Sequence, residues 1–408
     1  MAENPSEIAS AARLEEFFAE RIGVHLKDRR KRESFAMYAF GILGDGERKS
    51  AEPIAARTCA DPEQTKRVQD KLLHFLGRAA WDDRAVRLAA ARYAIEQVEK
   101  REPITMWIVD DTGFLKQGKH SVGVQRQYTG SAGKVANCQI GVSLAVASNS
   151  EQVPVDFELY LPESWANDAA RRAKARIPEH VVFRTKNDLA LDMIERAMAA
   201  KIPGDIVLLD SAYGSDAGLR NVLRTYGFDF GVGITSTTSV VRLDARNEIS
   251  GKPTSARELA IRMKRKFRRF TWREGTNKPL RSRFCFIRVK TLHDDGIALA
   301  DREPLWLVAE WLDGDAEPSK FILTTLPRRM SKKEIVRIFK ERWRTERMYE
   351  DLKGELGLDH FEGRSFPGWH HHVSVVLSCY NFVVAERVRA FPPSAECASP
   401  SNSIEVAA

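Results

Sequence analysis

Apolar residues recur at intervals of three and four through residues 14–18, 35–43, 68–76 and 86–98. That spacing puts them on one face of a helix, with polar positions on the other. Turn signals separate the runs: Gly44-Asp45-Gly46 and Asp61-Pro62. The pattern predicts an all-helical N-terminal domain over residues 1–100. Within it, residues 50–57, a turn, and residues 62–76 form a helix-turn-helix-like pair. The run Lys27-Asp28-Arg29-Arg30-Lys31-Arg32 adds a basic face.

At Thr105 the periodicity changes. Thr105-Met-Trp-Ile-Val109 is a short apolar run that ends in Asp110-Asp111-Thr112-Gly113, which reads as a buried strand opening into a loop. Residues 137–147 and 154–161 are further strands. Residues 186–200 have the helical period. Ile206-Val-Leu-Leu209 is another buried strand ending in an acid, Asp210. A helix over 216–226 and a strand over 228–234 follow. Strand, strand, strand, helix, strand, helix, strand is the rhythm of an α/β fold with a mixed sheet. Residues 235–325 depart from it, with alternating strand-like runs at 282–290, 305–311 and 320–325, and read as a β-rich insertion. The turn Gly275-Thr-Asn-Lys-Pro279 sits near its edge. The α/β core resumes over 326–392, and a Pro-, Ser- and Ala-rich tail at 393–408 is expected to be disordered.

Residues 331–357 read as one helix, opened by a capping box (Ser331 with Glu334) and closed by Gly357. Steps of three and four give Ile335, Phe339, Arg342, Glu346, Tyr349, Lys353 and Leu356, a stripe apolar at both ends and charged in the middle. Charge is rarely buried without a partner or a task. This face is therefore expected to wall an active site, with Glu346 at its centre. Glu341, Glu350 and Glu355 fall off the stripe and are expected to be solvated.

The remaining composition bears on partners. The 408 residues carry a net charge of +8 with a pI near 9.2, which favours a polyanion such as nucleic acid. Five scattered cysteines form no Cys-x-x-Cys pair, arguing against a disulfide framework or zinc knuckle. No apolar stretch is long enough for a membrane span, and the first residues lack a basic-then-apolar signal pattern.

Asp110 and Asp210 at strand ends lie where ligand crevices form in α/β sheets. Joined by Glu346, they would repel one another without a cation, and hard oxygen donors suit Mg²⁺ or Mn²⁺. Two such ions can serve phosphodiester chemistry. These residues carry a family resemblance. The chain resembles bacterial insertion-sequence transposases of the DDE class, in the branch marked by Tyr-x2-Arg-x3-Glu-x6-Lys. It has Phe339-x2-Arg342-x3-Glu346-x6-Lys353, with Phe in place of Tyr. Asp110-Asp111-Thr112 resembles the first acidic motif, and Asp210-Ser-Ala-Tyr213-Gly214 the second.

The resemblance implies a ribonuclease-H-like mixed-sheet core interrupted by the insertion. It also implies two metal ions held by Asp110, Asp210 and Glu346, and phosphate contacts from Arg342 and Lys353 beside Phe339. Double-stranded DNA (transposon ends and target), a homodimer assembled on DNA, and a cytoplasmic, nucleoid-associated location in a bacterium are implied with it. Two other functions compete: a catalytically inactive DNA-binding descendant and a stand-alone metal-dependent nuclease. Asp111 competes with Asp110 as the first ligand, although the Asp-x-Thr register favours Asp110. Tyr213 by default forms the loop that frees Asp210. Arg344, the basic Lys264, Arg265 and Lys266, and Trp272 are further candidates for DNA contact. Trp272 is more often core than a base-stacking wedge. In His370-His371-His372, adjacent helical residues point about 100° apart, so they do not converge on a metal; one is expected to pack and the others to face solvent or DNA. Gly231-Val-Gly233 lacks the third glycine and the following helix of a nucleotide fingerprint.

Overall fold

A computed structural model describes residues 5–59, 61–273, 279–292 and 296–391. Most of the expected 275–279 turn and the 393–408 tail lie outside the described residues.

Among the described residues, twelve strands form one sheet. They are β1 (Met106–Leu115), β2 (Gln125–Thr129), β3 (Lys134–Ala147), β4 (Gln152–Tyr160), β5 (Ile206–Leu209) and β6 (Asp229–Ile234). The chain continues with β7 (Ser239–Arg242), β8 (Thr254–Ser255), β9 (Arg268–Arg273), β10 (Leu280–Thr291), β11 (Leu305–Trp311) and β12 (Lys320–Thr324). β4, β3 and β1 pair antiparallel, and β5 and β6 then add parallel to β1. The order β4-β3-β1-β5-β6, with helices Lys186–Ala199 and Ala217–Thr225 crossing between strands, is that of a ribonuclease-H-like core. Residues 235–325 do not form a separate sheet. β12 pairs antiparallel with β6, and β11, β10 and β7 follow, so the same sheet continues.

The helical N-terminal region begins with Pro5–Glu16 and includes Arg29–Leu43, Ala51–Thr58, Pro62–Gly77 and Asp83–Glu99. Asp28, Asp61 and Asp82 cap three of these helices by accepting a backbone N–H each. The expected helix-turn-helix-like pair is Ala51–Thr58 and Pro62–Gly77, packed against each other. The C-terminal helix Phe366–Ala390 lies between this region and the sheet, packing on both Asp83–Glu99 and β4. One buried cluster runs from Phe17 and Phe35 through Phe157 and Trp369 to Val388, so helices and sheet share a core.

The three histidines contribute to that junction, and none faces solvent: His370, His371 and His372 are all buried. His370 meets Glu158 and the Phe366 carbonyl, and His371 meets the Leu76 carbonyl and stacks on Trp81 at 4.0 Å. His372 lies between the Tyr38 hydroxyl (2.9 Å) and the Gly357 carbonyl (3.1 Å). Their divergent directions follow from the helical turn per residue, but their burial is set by tertiary packing that local sequence does not encode.

Candidate active site

β1 separates two cores. Met106 and Ile108 face a cluster with Leu208, Ile335 and Phe339; Trp107 and Val109 face the large shared core. Alternation then sends Asp110 and Asp111 to opposite sides. Asp111 is bound by Lys186 Nζ at 2.9 Å and by the Tyr213 hydroxyl, which donates at 3.0 Å. Asp110 instead meets Arg342 Nη1 at 2.6 Å. Of the two rival acids, Asp110 faces the motif helices and Asp111 is held in a structural clasp. Tyr213 is more than loop: it is fully buried and ties the second acidic motif to the first.

Asp210 follows β5, the parallel neighbour of β1, in which Ile108 pairs with Leu208. Its carboxylate caps the short helix Ser211–Gly214 by accepting from the Ala212 N–H at 2.8 Å. Two glycines that suggested no role allow this arrangement. A Cβ on Gly233 would stand 2.8 Å from Ser211 N, and one on Gly231 would stand 2.4 Å from the Phe339 ring. Burial pushes the Asp110 carboxyl up to about 6; Arg342 opposes the rise, and the nearby Asp210 charge adds to it.

The single helix expected over residues 331–357 is two helices, Lys332–Glu341 and Trp343–Gly354, which meet at Arg342. Ser331 caps the first as expected, accepting the Glu334 N–H. Gly357, at φ +65°, reverses the chain beyond the second, where a Cβ would stand 2.6 Å from the Lys49 Cβ. The stripe is apolar and buried at Ile335, Phe339, Tyr349 and Leu356. Glu346 departs from the expectation of a buried face: it is exposed, on the wall of an open cleft. Glu341 departs in the opposite sense. It is 6% exposed, 2.8 Å from Arg344, and burial raises its pKa. Arg344 is thus engaged with Glu341 and with the Asn149 carbonyl.

The cleft holds about 670 Å³. Asp210, Ser211 and Gly233 form one side of it, and Phe339, Arg342, Trp343 and Glu346 another; Trp272, Lys340 and Glu310 close the end. Trp272 is half-buried there, with the Lys340 ammonium 4.7 Å from its ring. Lys340 also meets Glu310 at 2.6 Å, a buried pair that local sequence does not suggest. Lys353 donates to Thr112 Oγ1 at 2.7 Å and to the Gly113 carbonyl at 2.8 Å, and burial lowers its pKa. Lys264, Arg265 and Lys266 are exposed on a short 3₁₀ turn and are not among the cleft residues.

The site therefore brings Asp110 close enough to Asp210 for the second charge to act on the first, with Asp210 and Glu346 on one cleft and Arg342, which also lines it, bound to Asp110. Among the described residues no three Asp, Glu, His or Cys side chains already stand as a metal cluster. The chemistry of the donor set nevertheless fits a hard divalent cation. The oxygens are all carboxylate, and Asp110 carries the electrostatic cost of its neighbour's charge. A larger cleft of about 750 Å³ lies by Trp81, Glu158 and His371, but its Arg84, Arg196 and Glu158 charges are paired with one another. No described helix is long and apolar enough to cross a membrane.

Residues 22–279 match the family described as DDE superfamily endonuclease, a span that includes both aspartates and ends before Glu346. A relative from Microchaete diplosiphon, described as a probable transposase for insertion sequence element IS701, is 30% identical over 210 residues. That alignment covers 51% of this chain and 50% of the relative, so the chain spans about half of the relative's length. With the family match extending over more than half of its length, the chain belongs to the DDE superfamily endonucleases.

Proposed function

We propose that this protein is a DNA transposase. It binds the terminal inverted repeats of its element, cleaves at the ends, and joins the freed 3′-hydroxyl to target DNA in a cut-and-paste cycle. The observation that carries the reading is the closeness of two aspartates on neighbouring strands, Asp110 within β1 and Asp210 just after β5, beside a cleft that Asp210, Arg342 and Glu346 line. Asp110, Asp210 and Glu346 hold two divalent ions, Mg²⁺ or Mn²⁺. When bound, such ions activate the attacking hydroxyl group and stabilise the leaving oxygen.

The chain's own residues do the remaining work. Arg342 and Lys353, both within reach of β1, bind the phosphates flanking the scissile bond. Phe339 has no hydroxyl and acts by packing, filling the space over Gly231 and fixing the helix that leads to Arg342. Asp111, Lys186 and Tyr213 position the two acidic strands without touching substrate. The helical region, with its Ala51–Thr58 and Pro62–Gly77 pair, reads the repeats, and the basic Lys264-Arg265-Lys266 turn adds backbone contacts. Joining two ends calls for a homodimer assembled on DNA.

The test is Mg²⁺-dependent nicking of a duplex carrying the element's end, with release of a 3′-hydroxyl. Asp210→Asn and Glu346→Gln are each expected to abolish nicking while the duplex is still bound. Undiminished nicking by either variant removes that residue from the catalytic set. Cleavage without any joining to target DNA would favour a stand-alone nuclease.

A further inference from the structure

Between the first acidic motif and β3 the chain makes an extra edge strand, β2, and a tip at residues 130–133. We propose that this β2–β3 hairpin is a second DNA contact, seating the duplex arm away from the scissile phosphate, with Tyr128 against the sugar-base face and Arg126 on a phosphate. The inference rests on the transposase reading above for its ligand, and on three observations of its own.

The first is charge. Residues 112–150 contain Lys116, Lys119, Arg126 and Lys134 and not one Asp or Glu, in a chain where acids are otherwise abundant. Among the described residues, Lys119, Arg126 and Lys134 are exposed and have no ion-pair partner. Most other cations near the site are committed: Arg342 to Asp110, Lys340 to Glu310, Arg344 to Glu341. Uncommitted cations with no acid among them favour a polyanion over a protein surface of mixed charge.

The second is apolar exposure at the same place. Tyr128 is 65% exposed and Val135 52%, and they are direct cross-strand partners. An aromatic ring left open beside cations is the pairing that nucleic-acid surfaces use, because a base or sugar presents an apolar face next to each phosphate.

The third is direction. Asp110, Thr112 and Phe114 pair with Ser143, Gly141 and Gln139 of β3, and Arg126 and Tyr128 pair with Asn137 and Val135. Those β3 residues alternate without a register shift, so the hairpin's Arg126 and Tyr128 lie on the face of the sheet that carries Asp110. From Ser143 to Val135 is eight residues of β3. At about 3.3 Å per residue this is roughly 26 Å, or about seven to eight base pairs of duplex at ~3.4 Å each.

The experiment uses the full chain and a fluorescent linear duplex carrying the element's end, taken from the DNA flanking the coding sequence. Affinity is measured against salt for the wild type and for the double variant Arg126→Gln, Tyr128→Ala. Loss of one phosphate contact is expected to reduce the slope of log affinity against log salt by roughly 0.9. A photoreactive phenylalanine analogue at position 128 is expected to cross-link DNA about seven to eight nucleotides from the cleavage position. An unchanged salt slope, or a cross-link only to a second copy of the chain, overturns the hairpin contact. Wild-type nicking measured in parallel separates the two levels: nicking with an unchanged slope refutes the hairpin alone, whereas a wild type that neither binds nor nicks refutes the transposase reading and the hairpin contact together.

Discussion

Replacing Asp110 by Asn should make the protein more stable while abolishing its activity. The carboxyl lies almost wholly out of water, and burial beside Asp210 lifts its pKa from 3.8 to about 6 even with Arg342 at 2.6 Å. A group whose pKa is higher in the folded state binds its proton more tightly there. Its contribution to stability is thus largest below the unfolded value and is lost as pH rises through the folded one. Above pH 6 the ionised carboxylate therefore costs the fold about 3 kcal/mol, from the roughly two-unit difference at 1.36 kcal/mol each. Asn keeps the oxygen that accepts the Asp111 N–H at 2.8 Å and has no charge to bury. Arg342 loses its partner, but its side chain is 32% exposed and can be solvated, which reduces the expected gain to about 1–3 kcal/mol. The assay is thermal or urea unfolding of both proteins across pH 4 to 8. The variant should unfold later at pH 7.5, and the difference should shrink steeply as pH falls toward 4, where the folded carboxyl is protonated and the unfolded one is about half so. A variant less stable than wild type at pH 7.5, or a difference that does not depend on pH, refutes the assignment of that cost to the Asp110 charge.

Gly231→Ala would drive a methyl into the Phe339 ring and should cost about 1–3 kcal/mol by overpacking; Phe339→Leu should recover most of it, measured as a double-mutant cycle, and additive losses would refute the contact. Burial lowers His372 to about 4 from 6.5, so the stability this depressed group contributes is complete above pH 6.5 and lost as pH falls toward 4. His372→Gln should accordingly flatten the acid limb of an unfolding-versus-pH curve, and an equally steep limb would count against it. Tyr213→Phe removes a hydroxyl from the Asp111 carboxylate and should destabilise by about 1.5–3 kcal/mol, with an unchanged melting temperature as the contrary result. Lys353→Ala should lower the salt slope of DNA binding by about 0.9; no change would leave Lys353 a purely structural tie to Thr112.

Element types were legible in the sequence wherever the apolar period was long. The order of the α/β core, Asp210 at the end of β5 and the cap at Ser331 all follow from local pattern, but Asp110 does not end its strand as expected: β1 runs on to Leu115 because β3 pairs with it along that whole length. The stripe from Ile335 to Leu356 was legible as a face but not as an environment. Periodicity says which residues share a side; it does not say whether that side meets a neighbour or an open cleft. Glu346 and Glu341 illustrate the difference, since the first faces the cleft and the second is enclosed between Arg337 and Arg344. The break at Arg342 was hidden for a related reason: its backbone angles remain helical, and only the hydrogen-bond ladder is interrupted.

What local pattern could not show is how each acid is used, and β1 makes the reason plain. Asp110 and Asp111 are adjacent, of one chemical type, and equally exposed to any argument from composition. The pleat of a strand is what separates them. One side of the sheet carries Lys186, from a helix some seventy-five residues downstream, and Tyr213 from the second motif. The other carries Arg342, more than two hundred residues away. A carboxylate with two fixed partners holds strands in place; a carboxylate raised in pKa, near another acid and bound to an arginine of the cleft, is one whose charge the fold tolerates at a cost. Residues retained at such a cost are best explained by chemistry rather than by stability. Asp110 is thus favoured over Asp111 on physical grounds independent of the motif register, and the cost of its charge is a quantity that unfolding experiments can measure.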